Sequence, residues 1–240
     1  MPRFFCPQPL AVSATIALPE AVAHHIHVLR LAPGDPLTLF NGEGGEYLAQ
    51  LAASDRRRAT AIVTEHLPRE IELPFALAVA QALPEGAKMD WIIEKAVEMG
   101  VAAILPLAAQ RCVVRLSAER ADKRHAHWQG VIEAASEQSG RNRLAQLAPL
   151  ASFYDWIAKP ASATRLLLSP RGTGSLAAWA RANSPHDVTV MIGPEGGFTT
   201  QEEDAAIAHG ALALTMGERI LRTETAGIAA AAILAAHWSG

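Results

Sequence analysis

From residue 75 onward, continuous apolar runs of strand length alternate with helical segments, and this alternation leaves the chain few folds to choose from. FALAVAQAL (75–83), VAAILPLA (101–108), RLLLS (165–169), VTVMIG (188–193) and ALALTMG (211–217) have the length and uniform apolarity of strands buried on both faces. Between them lie helical patterns. In KMDWIIEKAVEMG, Met89, Ile92, Ile93, Ala96 and Met99 recur at spacings of three and four, and Gly100 follows as a stop. Ser117 opens a long helix over 117–138, SLAAWARA forms a helix over 175–182, and Thr199 with Glu202 forms a capping box. TETAGIAAAAILAAHW closes the chain as an Ala-rich helix, too short and too poor in leucine to cross a bilayer. Strand and helix in alternation predict an α/β domain with a mostly parallel sheet.

Residues 1–72 have a different texture. PLTLF, EYLAQLA and ATAIVTEHL are short strand-like runs separated by NGEGG (41–45) and SDRRR, and PEAVAHHIHVLR (19–30) reads as one short helix. So many short strands hide their edges most easily in a small barrel. LPREIELP (67–74), with a proline near each end, reads as a linker, so the expected division is 1–72 and 73–240.

The most informative loop is GPEGG within VMIGPEGGFTTQE, at the carboxyl end of a predicted parallel strand, where α/β sheets place their ligands. A phosphate-binding P-loop needs Lys and Ser or Thr directly after its last glycine, and here Phe198 and Thr199 follow Gly197. The dinucleotide pattern G-x-G-x-x-G is absent, Pro194 removes an amide, and Glu195 would repel a pyrophosphate. A second loop, MGERILRTETA (216–226), ends the next strand and packs Glu218, Arg219, Arg222 and Glu224 around an Ile-Leu pair. The ordinary alternative is a pair of strand-to-helix turns carrying solvated charges.

VMIGPEGGFTTQE and LTMGERILRTETA, in this order and at this distance, resemble the signature of the SPOUT methyltransferases. More narrowly they resemble the bacterial enzymes that methylate N3 of a uridine in 16S ribosomal RNA of the small subunit. HVLRLAPGD, QALPEGAKMDWIIEKAVEMG, RCVVRL and HWQGVIEAASEQSGR extend the resemblance over nearly the whole chain. It implies a C-terminal SPOUT domain with a trefoil knot after a PUA-like β-barrel domain, a homodimer, and S-adenosylmethionine bound largely by backbone groups. Gly193, Pro194, Glu195, Gly196 and Gly197 would line one side of the cofactor. Met216, Gly217, Ile220 and Leu221 would form the adenine-side loop, with Thr225 and Ala226 nearby and Leu168 as a third wall.

The reaction so implied removes a proton from a weakly nucleophilic imide nitrogen. Arg222 could stabilise the resulting anion, and Glu195 or Glu224 could accept the proton. The formal net charge of −3 argues against a general polycation, but residues 106–143 hold seven Lys or Arg against four Asp or Glu. Arg111, Arg115, Lys123, Arg124 and Arg141 could meet phosphates, with Arg3 and Arg30 contributing from the first domain. Glu137, Gln138, Ser139, Arg141 and Asn142 could read a base drawn out of its stack. No metal is expected: His24, His25 and His27 could hold zinc by spacing but read more simply as surface residues. Cys6 and Cys112 are too few for a disulfide framework, and with no signal peptide evident at the N-terminus they point to the cytoplasm. The rival readings are a ribose 2′-O methyltransferase of the same superfamily, disfavoured by ILRTETA, and a non-catalytic ribosome-assembly factor.

Overall fold

The computed structural model describes residues 1–239. In chain order its elements are β1 (Arg3–Phe5), β2 (Thr15–Ala17), α1 (Glu20–Val28), β3 (Pro36–Phe40), β4 (Glu46–Ser54), β5 (Ala59–Leu67), β6 (Leu77–Ala82), α2 (Lys88–Glu98), β7 (Ala103–Ala108) and α3 (Ala118–Ser139). They continue with β8 (Gln146–Leu147), β9 (Ala151–Ser152), α4 (Phe153–Ile157), β10 (Thr164–Leu168), β11 (Gly174–Ser175), α5 (Leu176–Ala182), β12 (Val188–Ile192), α6 (Thr200–Ala208), β13 (Leu212–Thr215) and α7 (Thr223–Trp238). Two compact units result: Met1–Glu72 with Ser136–Leu144, and Leu73–Ala135 with Ala145–Gly240. The expected division at residue 72 left Ser136–Leu144 with the second domain, whereas the structure packs that segment into the first.

In the first unit the strands run β1-β3-β4-β5-β2, with β1 parallel to β3 and the remaining pairs antiparallel. NGEGG makes the β3–β4 turn as its composition predicts: Gly42, Gly44 and Gly45 all take positive φ, which a side chain would oppose. Two register shifts interrupt β4 against β5, between Leu48 and Ala49 and between Leu51 and Ala53. Such irregularities bend a strand and help a small sheet to curl. Val22, Ala23 and Ile26 on α1 face a core of Phe4, Leu37, Leu39, Leu51 and Ala61. His24, His25 and His27 stay exposed. Among the described residues no three His, Cys, Asp or Glu side chains gather as a metal site.

The inserted segment is held by charge and by hydrogen bonds rather than by apolar burial. Arg141, 3% exposed, donates from Nε and Nη2 to the two carboxylate oxygens of Glu72 at 3.1 and 2.5 Å. The Glu137 carboxylate accepts the Phe5 N–H at 2.8 Å. Buried Asn142 accepts from the Arg3 guanidinium and donates to the Arg69 carbonyl. Arg3 also pairs with Glu46 at 2.6 Å and lies over the Phe40 ring at 4.5 Å. Arg3, Glu137, Arg141 and Asn142, expected at the RNA, thus all make hydrogen bonds within the first unit. Arg141 and Asn142 are buried and find their partners inside the unit, as buried polar groups require, whereas Arg3 Nε is buried without a hydrogen-bond partner.

Burial also pushes the Cys6 thiol up to about 12, and the nearby Glu137 carboxylate adds to the shift. Alkylation at pH 8.5 is expected to leave Cys6 unmodified until denaturant unfolds the first unit. Mass-spectrometric mapping of Cys6 modified in the native protein at the rate of a free thiol would contradict this burial.

The second unit is built on one parallel sheet in the order β11-β13-β10-β12-β6-β7-β8, with β9 also pairing β7. All five residues of β12 are buried, as its uninterrupted apolar run requires. Because β10 lies between β12 and β13, the loops after these three strands open on the same edge of the sheet. Helix α7 reaches β12 closely at Gly227, where a Cβ would stand 2.9 Å from Ile192 Cδ1. Trp238 anchors the far end of α7 by donating to the carbonyls of Ala180 and Asn183, both at 2.9 Å. Among the described residues no helix is long and apolar enough to cross a membrane.

Candidate active site

Strand β12 ends at Ile192, and the chain turns at once. The Gly197 N–H donates to the Pro194 carbonyl at 2.8 Å, with Gly197 at φ +66°. Gly193 has no room for a side chain: a Cβ there would meet Phe198 N at 2.7 Å and the Gly197 carbonyl carbon at 2.8 Å. Beyond the turn the expected capping box is present, with Thr199 Oγ1 accepting from the Glu202 N–H at 3.2 Å and Glu202 answering the Thr199 N–H at 2.8 Å.

Three ties fix this loop from outside. Arg111 donates to the carbonyls of Gly196 at 2.7 Å and Phe198 at 3.3 Å. Thr223 Oγ1 donates to the Gly193 carbonyl at 2.6 Å and accepts from Gln81 Nε2 at 2.9 Å, in the buried interior. Glu195 accepts from Lys88 Nζ at 2.5 Å and from the Glu85 N–H at 3.1 Å. Burial pushes the Glu195 carboxyl up, but Lys88 and the backbone N–H groups outweigh it and hold it below the usual carboxylate range.

A folded-state pKa lowered in this way makes the pair's contribution complete above the unfolded value, and lost as pH falls through the folded one. Because both side chains are about one third exposed, solvent screens the pair and its contribution is small. Lys88→Met is therefore expected to weaken ligand binding in the adjoining cavity only slightly, and to blunt the loss of affinity on acidification. Titration calorimetry across pH would show both, and an unchanged acid limb would separate the pair from the loop.

The loops after β10, β12 and β13 enclose a cavity of about 650 Å³, within the ordinary range for small-molecule sites, about 300–1,000 Å³. Leu168, Gly193, Pro194, Glu195, Gly196, Gly197, Met216, Gly217, Ile220, Leu221 and Ala226, the residues for which the resemblance implies cofactor contact, line it. Thr225 does not; it is exposed on the first turn of α7, its N–H bonded to the Arg222 carbonyl at 3.0 Å. Of the three residues suggested for chemistry, only Glu195 lines the cavity, while Arg222 and Glu224 flank Thr223, which does. Arg222 is exposed, and Glu224 Oε2 is buried with no hydrogen-bond partner.

The sequence reading missed Ser169, Arg171 and Glu203. Ser169 Oγ donates to Glu203 at 2.8 Å and Arg171 Nη1 to the same carboxylate at 2.9 Å, which ties the β10 loop to α6. Their signal was the polar SPRG run directly after a buried strand. Arg111 was expected on an RNA face, but its guanidinium braces the glycine loop and lines the cavity. Arg115, Lys123 and Arg124 remain exposed in the second unit, and Arg30, with φ +57°, Gln138 and half-buried Ser139 lie in the first.

Residues 71–235 match the family described as RNA methyltransferase domain, and residues 18–64 match the RNA methyltransferase PUA domain. Ribosomal RNA small subunit methyltransferase E of Synechocystis is 34% identical over 90% of this chain and 71% of its own length. The protein of the same name from Bacillus subtilis is 29% identical over 86% and 84%. Among solved structures, ribosomal RNA small subunit methyltransferase E from Neisseria gonorrhoeae, bound to S-adenosyl methionine, superposes with a TM-score of 0.88 at 36% identity, covering 99% of this chain and 98% of that one. A Legionella pneumophila protein in complex with the bound cofactor SAM gives 0.90 at 32% identity, covering 98% and 96%. With these matches running the length of both units, the chain belongs to the RNA methyltransferase family of the ribosomal RNA small subunit methyltransferase E proteins.

Proposed function

We propose that this chain transfers a methyl group from S-adenosylmethionine to N3 of a uridine in 16S ribosomal RNA of the small subunit. The observation that carries the reading is the cavity at the carboxyl edge of the parallel sheet, walled by two glycine-containing loops and by apolar side chains. Its donor set suits the cofactor: peptide groups at Gly193–Gly197 and Met216–Leu221 can meet a methionyl tail and the edge of adenine, and Leu168, Ile192 and Leu221 can cover the ring. A pocket built for pyrophosphate would not place Glu195 in its wall. The cofactor supplies an electrophilic methyl group on a sulfonium; the rest of the chemistry falls to the protein.

Uracil N3 must lose its proton as it becomes the nucleophile. Glu195, held ionised by Lys88, is poorly suited to accept it and serves to fix the loop. Glu224 has a buried carboxylate oxygen with no partner, which supports it as the acceptor. Exposed Arg222, at the N-cap of α7, can offer positive charge to the uracil carbonyl oxygens as the anion develops. The reading includes a cytoplasmic homodimer with a knotted second domain; Ile220, 86% exposed on the cavity loop, gives a second copy an apolar surface to cover.

The test is methyl transfer from labelled S-adenosylmethionine to small ribosomal subunits taken from cells lacking the activity. After digestion and separation by mass, label is expected in 3-methyluridine. Label in a ribose-methylated nucleoside would overturn the base assignment, and no label together with no cofactor binding would favour a non-catalytic assembly factor.

A further inference from the structure

Resting on the reading that the substrate is RNA, we propose that a second cavity in the methyltransferase unit receives an unstacked base neighbouring the target, and that a basic depression beside it holds the phosphates. This cavity, about 630 Å³, opens after β6 and β7, with Leu83, Val114 and Leu116 as apolar walls and Phe153 and Tyr154 as aromatic ones. Tyr154 is 42% exposed, and its hydroxyl accepts from Gln110 Nε2 at 3.2 Å. An accessible ring beside an amide and an open apolar hollow is the kind of surface on which single-stranded bases stack.

The cavity cannot be the seat of the reacting uracil. Phe153, in its wall, packs at 5.0 Å between ring centroids against Phe198, which lines the cofactor cavity. Arg111 faces the cofactor side, while its chain neighbours Gln110 and Cys112 face the second cavity. Methyl transfer needs its reacting atoms about 3–3.5 Å apart, and this partition is thicker than that. The base it takes is therefore a neighbour of the one modified.

Leu116 also borders a shallow depression of about 370 Å³ lined by Arg120, Lys123, Arg124 and His127. Lys123 pairs with Glu119 and His127 with Asp90, but Arg120 and Arg124, like Arg115 in the wall of the second cavity, have no ion-pair partner among the described residues. Exposed unpaired guanidiniums next to an aromatic hollow complement a single strand, whose phosphates and splayed bases alternate.

The experiment measures affinity of the full chain for small ribosomal subunits lacking the modification, with cofactor affinity measured in parallel. Tyr154→Ala is expected to weaken subunit binding roughly 5- to 100-fold and to raise KM with kcat and cofactor affinity kept. Tyr154→Phe, which preserves the stacking face, is expected to bind nearly as the parent does. A double substitution, Arg120→Ala with Arg124→Ala, should lower the slope of log affinity against log salt by about 1.4, near 0.7 for each phosphate no longer neutralised. Unchanged binding by Tyr154→Ala, or an unchanged salt slope in the double variant, overturns the proposal. If the parent methylates subunits while Tyr154 is indifferent, this inference alone falls. If Tyr154 governs binding but no 3-methyluridine forms, the reaction assignment falls instead, and a parent that binds no subunits overturns both.

Discussion

Gly193→Ala is expected to cost the protein its methyl donor while leaving most of its fold in place. The added methyl group would meet backbone atoms at 2.7 and 2.8 Å, and backbone cannot turn aside as a flexible side chain can. Forcing a methyl into such a space costs about 1–3 kcal/mol. The strain falls on the turn from Gly193 to Phe198 because β12 behind it is buried throughout. Opening the turn also pulls the Gly193 carbonyl from Thr223, so Gln81 and α7 lose their link to the loop. Cofactor affinity is expected to fall about 10- to 100-fold, with a smaller shift in melting temperature.

Gly197→Ala gives the contrast. It has open space where the methyl group would stand but a left-handed φ of +66°, so only backbone strain of about 1 kcal/mol is at stake, or about fivefold in affinity. Calorimetry on both variants checks the argument. Equal losses would mean that the close approach at Gly193 does not shape the cavity.

Arg141→Met should damage stability rather than RNA recognition. Removing one partner of a buried ion pair leaves an uncompensated charge, at a cost of about 3–5 kcal/mol, and Glu72, with a side chain only 21% exposed, would be left without the guanidinium. The first unit is expected to unfold at markedly lower urea concentration, while the second unit still binds S-adenosylmethionine. Urea titration followed by a probe in each unit distinguishes the two. A variant of normal stability that had lost only its affinity for RNA would restore Arg141 as a base-reading residue.

The internal partners of Arg141 mark where sequence could and could not reach. The parallel sheet was legible because each strand is a local run of apolar residues, and the cap at Thr199 and the stop at Gly100 because their chemistry is local too. The loops that wall the cavity were legible in outline: every residue of the GPEGG loop lines it. EQSGRN, by contrast, has the composition of an exposed loop, and nothing nearby reveals that Arg3, the Phe5 N–H, the Arg69 carbonyl and Glu72 supply its partners. Strands of two or three residues, such as β1 and β11, carry too few side chains for a period and exist because a neighbouring strand accepts them. The bonds of Arg111 to the glycine loop were hidden for a related reason. A cation beside a glycine loop looks the same in sequence whether its fork points to solvent phosphates or to its own backbone carbonyls.

The insertion of Ser136–Leu144 into the first unit also sets an order of events during synthesis. Residues 1–72 leave the ribosome with Arg3, the Phe5 N–H and Glu72 lacking the partners that Asn142, Glu137 and Arg141 later provide. Roughly 70 further residues must be translated first, which takes on the order of 4–14 s at about 5–20 residues per second. During that interval the amino-terminal sheet is an incomplete nascent domain with open polar sites, so its maturation is timed by elongation through the first half of its neighbour. A synonymous slow-codon stretch placed between these segments would lengthen the exposure to chaperones and proteases without altering a single side chain.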